Sequence, residues 1–190
     1  MISLWSRSSA GPYRGNNMDR RIFWRIALIG LTALFLDGAL SFALQGVLIT
    51  PRWQIAPSLL LLWLVYVVYA LPTDWRMLVL GLGLGLLYDL YYSGIIGFYA
   101  LAFPAVIYGI RWVRDYLPVN GLFAVLLYFI SIVVVTSGVY FGHRFLGVGG
   151  EGFVGFVSQV LWPTILANVV VAGAVYVPCA RLLAGWRSDQ

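Results

Sequence analysis

Gly81-Leu-Gly-Leu-Gly-Leu-Leu-Tyr-Asp89-Leu-Tyr-Tyr-Ser-Gly94-Ile-Ile-Gly97 places one acidic residue and five glycines inside an otherwise apolar stretch. At membrane depth a carboxylate is expensive and needs a reason to be there. At 100° per residue, Gly81, Gly85 and Asp89 fall on one helix face. That face carries no bulk for two turns and then presents a single polar group. It suits a second helix lying close against it.

The surrounding chain has the composition such a stretch demands. Of its 190 residues, 62% are hydrophobic and only 10% charged, with a mean hydropathy of +0.90. A soluble domain carries about 25% charged residues. The composition therefore predicts one all-α integral membrane domain. A single Cys179 excludes an internal disulfide and a cysteine-based metal site. One His, at 143, and one Glu, at 151, leave little for a histidine or glutamate metal cluster. The net charge of +5 comes from twelve arginines, with no lysine. These arginines lie between apolar runs, so they read as membrane-orienting residues and not as a nucleic-acid surface.

Apolar runs predict six transmembrane helices at 22–44, 55–72, 76–92, 94–112, 121–142 and 154–183. The third and fourth nearly merge through Tyr91-Tyr92-Ser93-Gly94, which predicts a tight hairpin with tyrosines at the membrane interface. The sixth is too long for a straight crossing, and Pro163 and Pro178 predict a kink or a separate first turn. Residues 1–21, with Arg7, Arg14, Arg20 and Arg21, read as a disordered cytoplasmic arm resting on anionic lipid. The arm lacks the apolar core of a signal peptide, and Met18 offers an alternative start. The six-helix domain then covers 22–185, with a cytoplasmic tail at 186–190. With both termini inside, ten arginines are cytoplasmic and only Arg52 and Arg144 are external. That asymmetry supports an even number of spans. The outer connections, about 45–54 and 143–153, leave no room for a folded external domain.

Two carboxylates are candidate site residues. Asp37 and Asp89 both lie late in outward-running helices, which places them in the outer half of the bilayer. Ser41 and Gln45 extend the polar stripe of Asp37 at i+4 and i+8. Each Asp bonds a nearby tyrosine, serine or freed backbone group, snorkels to the outer surface, or serves a protein contact or polar ligand pocket. The two could also meet across a cleft, with Arg52 or Arg144 near its mouth. Gly81-x-Gly83-x-Gly85 lacks the spacing and preceding strand of a nucleotide loop, and Gly81 and Gly85 instead form a GxxxG packing pair. Ser137 and His143 share one segment with no GxSxG motif, and the seven acids are too scattered for metal-assisted chemistry. The residues thus predict no enzyme, no cofactor and no metal. Thr164 and Asn168, one turn apart in the last span, could line a pocket or join a neighbouring helix.

From Gly85 to Pro104 the chain resembles the rod-shape-determining protein MreD family, in its Gram-positive form. Asp89, Gly94, Gly97, Ala100 and Leu101 match that family's Asp at the end of a Gly-rich helix, its Gly-x-x-Gly turn and its small apolar helix start. The resemblance implies a fold similar to the substrate-binding subunits of energy-coupling-factor transporters. It also implies a non-enzymatic plasma-membrane scaffold that binds MreC, a single-span protein, within the cell-elongation machinery of RodA, a class B penicillin-binding protein and MreB. On this reading Gly81, Gly85, Asp89 and the Gly94–Gly97 turn form part of the partner surface. A vitamin-binding transporter subunit is the competing reading, with an Ala-x-x-x-Ala coupling motif in the first helix as its mark. Here Ala39 and Ala43 have that spacing at the outer end, away from any inner coupling contact.

Overall fold

A computed structural model describes residues 18–71, 74–94, 97–118, 120–147 and 152–188. Residues 1–17, including Arg7 and Arg14 of the expected arm, lie outside the described residues. The described chain is predominantly helical, with a single isolated bridge between Ile49 and Gln54 and no strand among the described residues.

Helix α1 (Arg20–Ala43) begins two residues before the expected boundary. Asp19 causes the early start, because its side chain accepts the Arg21 amide at 3.1 Å and caps the first turn. Met18 is buried in the core. The last residues of the expected arm therefore belong to the folded domain. A single turn, α2 (Gln45–Leu48), leads into an irregular connection and then α3 (Leu59–Ala70). Every residue from Leu60 to Tyr69 in α3 is buried. A helix that is apolar all round needs neighbours all round. Helices α1, α5, α6 and α8 provide them.

Helix α4 (Arg76–Tyr88) continues through a π-helical turn at Asp89–Ser93. The chain then reverses at Gly94 (φ 67°) and Gly97 (φ 117°), two backbone conformations that need glycine. The hairpin leads into α5 (Phe98–Val113), which ends in a 3₁₀ turn at Arg114–Tyr116. Helix α6 (Gly121–Phe145) is capped by Asn120, whose side chain accepts the Phe123 amide at 3.0 Å. After α7 (Phe153–Gly155) and a π-helical turn at Phe156–Leu161, α8 runs from Trp162 to Ser188. The expected tail boundary at 186 is thus inside a helix, and the Trp186 ring meets Trp63 edge-on at 6.1 Å.

Among the described residues, three helical segments are long and apolar enough to cross a membrane: Arg20–Ala43, Gly121–Phe145 and Phe153–Trp186. The other three expected spans are shorter helices of 12, 13 and 16 residues. At 12 residues, α3 is about 18 Å long, against roughly 30 Å of hydrocarbon.

Pro163 lies at the start of α8, directly after the π-helical turn. Proline has no N–H to give to the carbonyl four residues earlier. That carbonyl, on Gln159, instead accepts the Gln54 amide at 2.7 Å. The break in one helix thus anchors the connection that precedes α3.

Candidate functional site

A helix that ends inside an apolar medium leaves four amides and four carbonyls without intrahelical partners. Water cannot satisfy them there. Asp37 solves this for the start of α3. Its Oδ1 accepts the Leu59 amide at 2.6 Å and its Oδ2 accepts the Leu60 amide at 3.0 Å, and the residue is only 2% exposed. A carboxylate also complements the positive end of the helix dipole. At the other end of α3, Arg114 Nη1 donates to the carbonyls of Val68, at 2.9 Å, and of Leu71. The central helix is therefore closed by an acid at its N-terminus and a base at its C-terminus.

Asp89 does the same for α5. Its Oδ2 accepts the amides of Gly97 and Ala100 at 2.9 and 3.0 Å, and its Oδ1 accepts that of Tyr99 at 3.0 Å. The residue is fully buried. The Asp89-to-Gly97 motif is thus a hairpin that caps itself: the acid ends one helix and satisfies the first turn of the next. Gly94 and Gly97 turn the chain sharply enough for that reach. Both carboxylates bond freed backbone groups, one of the readings left open by the sequence.

The Gly81/Gly85 face is also used within the chain. A Cβ at Gly85 would collide with the Tyr99 carbonyl, and one at Gly81 would collide with the Ile107 side chain. Helix α5 therefore covers the face that the sequence offered to a partner helix. The GxxxG pair sets an intramolecular helix crossing.

Thr164 and Asn168 hold the extended segment before α3. Thr164 Oγ1 accepts the Ala56 amide at 3.2 Å and donates to the Gln54 carbonyl at 3.3 Å. Asn168 donates to the Ala56 carbonyl at 2.8 Å and accepts the Ser58 amide at 3.0 Å. Tyr128 adds hydrogen bonds to the Ser58 carbonyl and to Asn168 Oδ1, each at 3.1 Å. Both Thr164 and Asn168 are buried. Irregular backbone at membrane depth is tolerated when protein groups satisfy it. Tyr128, Arg114 and Gly38 were not singled out in the sequence. Gly38 leaves room for the Tyr92 ring, whose hydroxyl donates to the Leu34 carbonyl at 3.0 Å. An Arg close to a short apolar helix was the one sequence signal available for Arg114.

A cavity of about 250 Å³ opens at the end of the bundle where α1, α4 and α6 finish and α3, α5 and α8 begin. Asp37 lines it and Asp89 does not. The expected cleft shared by the two carboxylates is therefore absent, because α4 turns Asp89 towards α5 while α1 turns Asp37 towards α3. Of the two arginines expected near its mouth, Arg144 bonds the lining Tyr140 hydroxyl at 3.3 Å, and Arg52 is exposed. Among the described residues, no group of three or more His, Cys, Asp or Glu side chains is placed to hold a metal.

Short helices closed by charged side chains, set among helices of membrane-spanning length, define a helical membrane protein whose polar groups mostly serve its own backbone. The family described as rod shape-determining protein MreD matches residues 21–185. The chain belongs to the MreD family, a family of rod-shape determinants. Comparison with curated proteins and with solved structures gives no match.

Proposed function

We propose that this protein is a non-enzymatic, six-span plasma-membrane scaffold of the cell-elongation machinery, with both termini cytoplasmic. Its direct partner is an MreC-like single-span protein, through which it supports lateral peptidoglycan synthesis alongside RodA, a class B penicillin-binding protein and MreB. Membership of the MreD family over residues 21–185 is the observation that carries this reading. The geometry is consistent with a scaffold, since the two buried carboxylates cap helices and are not arranged as an acid–base pair. The arginine distribution supports the orientation: Arg76, Arg111 and Arg114 gather around Asp74 and the end of α3, and Arg20 and Arg21 begin α1.

Because α5 covers Gly81, Gly85 and Asp89, the partner face on α4 is the opposite one. There Val79, Leu86 and Leu90 are exposed around Gly83, which has open space where a side chain would stand. Small residues flanked by apolar ones admit a close transmembrane helix. The exposed Gly94 of the hairpin adjoins the end of this face.

Native purification in mild detergent, followed by mass spectrometry, tests the reading. A single-span coiled-coil protein should co-purify, and Gly83→Leu should reduce its recovery several-fold without lowering the yield of this chain. ATP-binding-cassette ATPases with a shared coupling subunit would overturn the scaffold reading in favour of a vitamin transporter.

A further inference from the structure

Asp37 has a capacity that its capping role does not use. A carboxylate offers about four acceptor sites. The amides of Leu59 and Leu60 take two of them, one on each oxygen. Both oxygens act as acceptors at the positive end of a helix. The same carboxylate lines the cavity at this end of the bundle.

The other lining groups are aliphatic and aromatic, with Ser58, Thr136 and the His143 imidazole as further polar ones. Tyr88 of α4 and Tyr99 of α5 pair with ring centroids 4.3 Å apart, and Tyr140 of α6 stacks on Phe156 at 4.0 Å. The hydroxyls of Tyr88 and Tyr99 and the side chain of Thr136 make no hydrogen bond among the described residues, although all three residues line the cavity. No Arg lines it, and Asp37 is its one acidic residue among the described lining. A carboxylate with spare acceptor sites and no arginine in the lining, beside several tyrosine faces and spare hydroxyls, attracts a cation. Aromatic faces add to that attraction through their quadrupoles.

We propose that this cavity binds an ammonium group carried on a small apolar or aromatic body, with Asp37 as its counter-ion and the tyrosines as its walls. The space limits the occupant. At roughly 30 Å³ per water-sized group, it takes about eight such groups. That suits a small amine or the amine end of a lipid headgroup, but not a whole lipid. The inference does not depend on which partner the protein holds.

The test uses the full chain in phosphatidylglycerol nanodiscs, titrated with 2-phenylethylamine and with 2-phenylethanol, its neutral counterpart. The amine should bind at least about tenfold more tightly than the alcohol. Thr136→Leu fills the cavity without touching a helix cap and should abolish amine binding while leaving the unliganded melting temperature near that of the parent. Asp37→Asn should bring the amine down to the level of the alcohol. If that variant fails to fold, Thr136→Leu and the amine–alcohol comparison still decide. Replacing half of the lipid with phosphatidylethanolamine separates the sources. Loss of probe binding assigns the site to a lipid headgroup, and unchanged binding assigns it to a soluble amine; both uphold the ammonium site. Absence of amine binding, equal binding of amine and alcohol, or full binding by Thr136→Leu would overturn it.

Discussion

Asp89 and Asp19 are both helix caps, yet they differ in what their loss would leave behind. Asp19 is exposed, and water can take over the Arg21 amide. Its replacement by Ala should cost about 0.5–2 kcal/mol, at the low end of that range. Asp89 is fully buried and accepts three amides. An unpaired buried donor costs about 1–3 kcal/mol. Asp89→Ala should therefore be the most damaging of the three changes. Asp89→Asn keeps one acceptor oxygen and points an amide donor at a backbone donor, so it should lose roughly one such bond. Thermal unfolding in detergent should rank the variants Asp19→Ala, Asp89→Asn, Asp89→Ala in order of increasing damage. An Asp89→Asn melting curve identical to that of the parent would show that the third bond contributes nothing.

At the scale of elements, α4 and α5 form the tightest pairing, and the tightness comes from missing side chains. Gly85→Leu puts a side chain against the Tyr99 backbone, which cannot rotate out of the way as a flexible side chain can. Overpacking of this kind typically costs about 1–3 kcal/mol, and more where backbone is the obstacle. Gly83 lies two residues earlier on the open side. There a leucine should be neutral or stabilising, since Gly is about 1 kcal/mol poorer than Ala in a helix. We expect Gly85→Leu to lower the melting temperature and Gly83→Leu to leave it unchanged or raised. Similar melting temperatures for the two variants would mean that α4 and α5 do not pack closely in the membrane.

At the scale of the molecule, the short central helix dictates the arrangement around it. With about 18 Å of length, α3 must end where water is absent if it sits in the bilayer interior. Asp37 from α1 and Arg114 after α5 close its two ends. Three elements distant in sequence are thereby tied together by their polar groups. The proposed topology places Arg52 and Tyr116 on opposite faces of the membrane. In a Cys179→Ser background, Arg52→Cys should react with an impermeant maleimide from outside intact cells. Tyr116→Cys, whose parent residue is 79% exposed, should react only after permeabilisation. Labelling of both from outside would require an even number of crossings between them, and would overturn the three proposed.

Apolar runs, the scarcity of charge and the placing of the arginines between those runs determine a helical membrane protein from the sequence by itself, because composition and apolar run length are local properties. The Gly81-to-Gly97 stretch was legible in the same way: a small-residue face, an acid and a glycine turn read as close packing, a buried polar group and a reversal. Only the tertiary structure decided what the polar groups satisfy. Asp37 reaches amides 22 and 23 residues away, and Thr164 and Asn168 hold backbone 108 to 112 residues away. Such partners depend on which helices become neighbours, and that follows from the packing of the whole bundle. Likewise, the pattern placed Asp37 and Asp89 at similar depth, but the direction in which each carboxylate turns was set by the helix end it had to close.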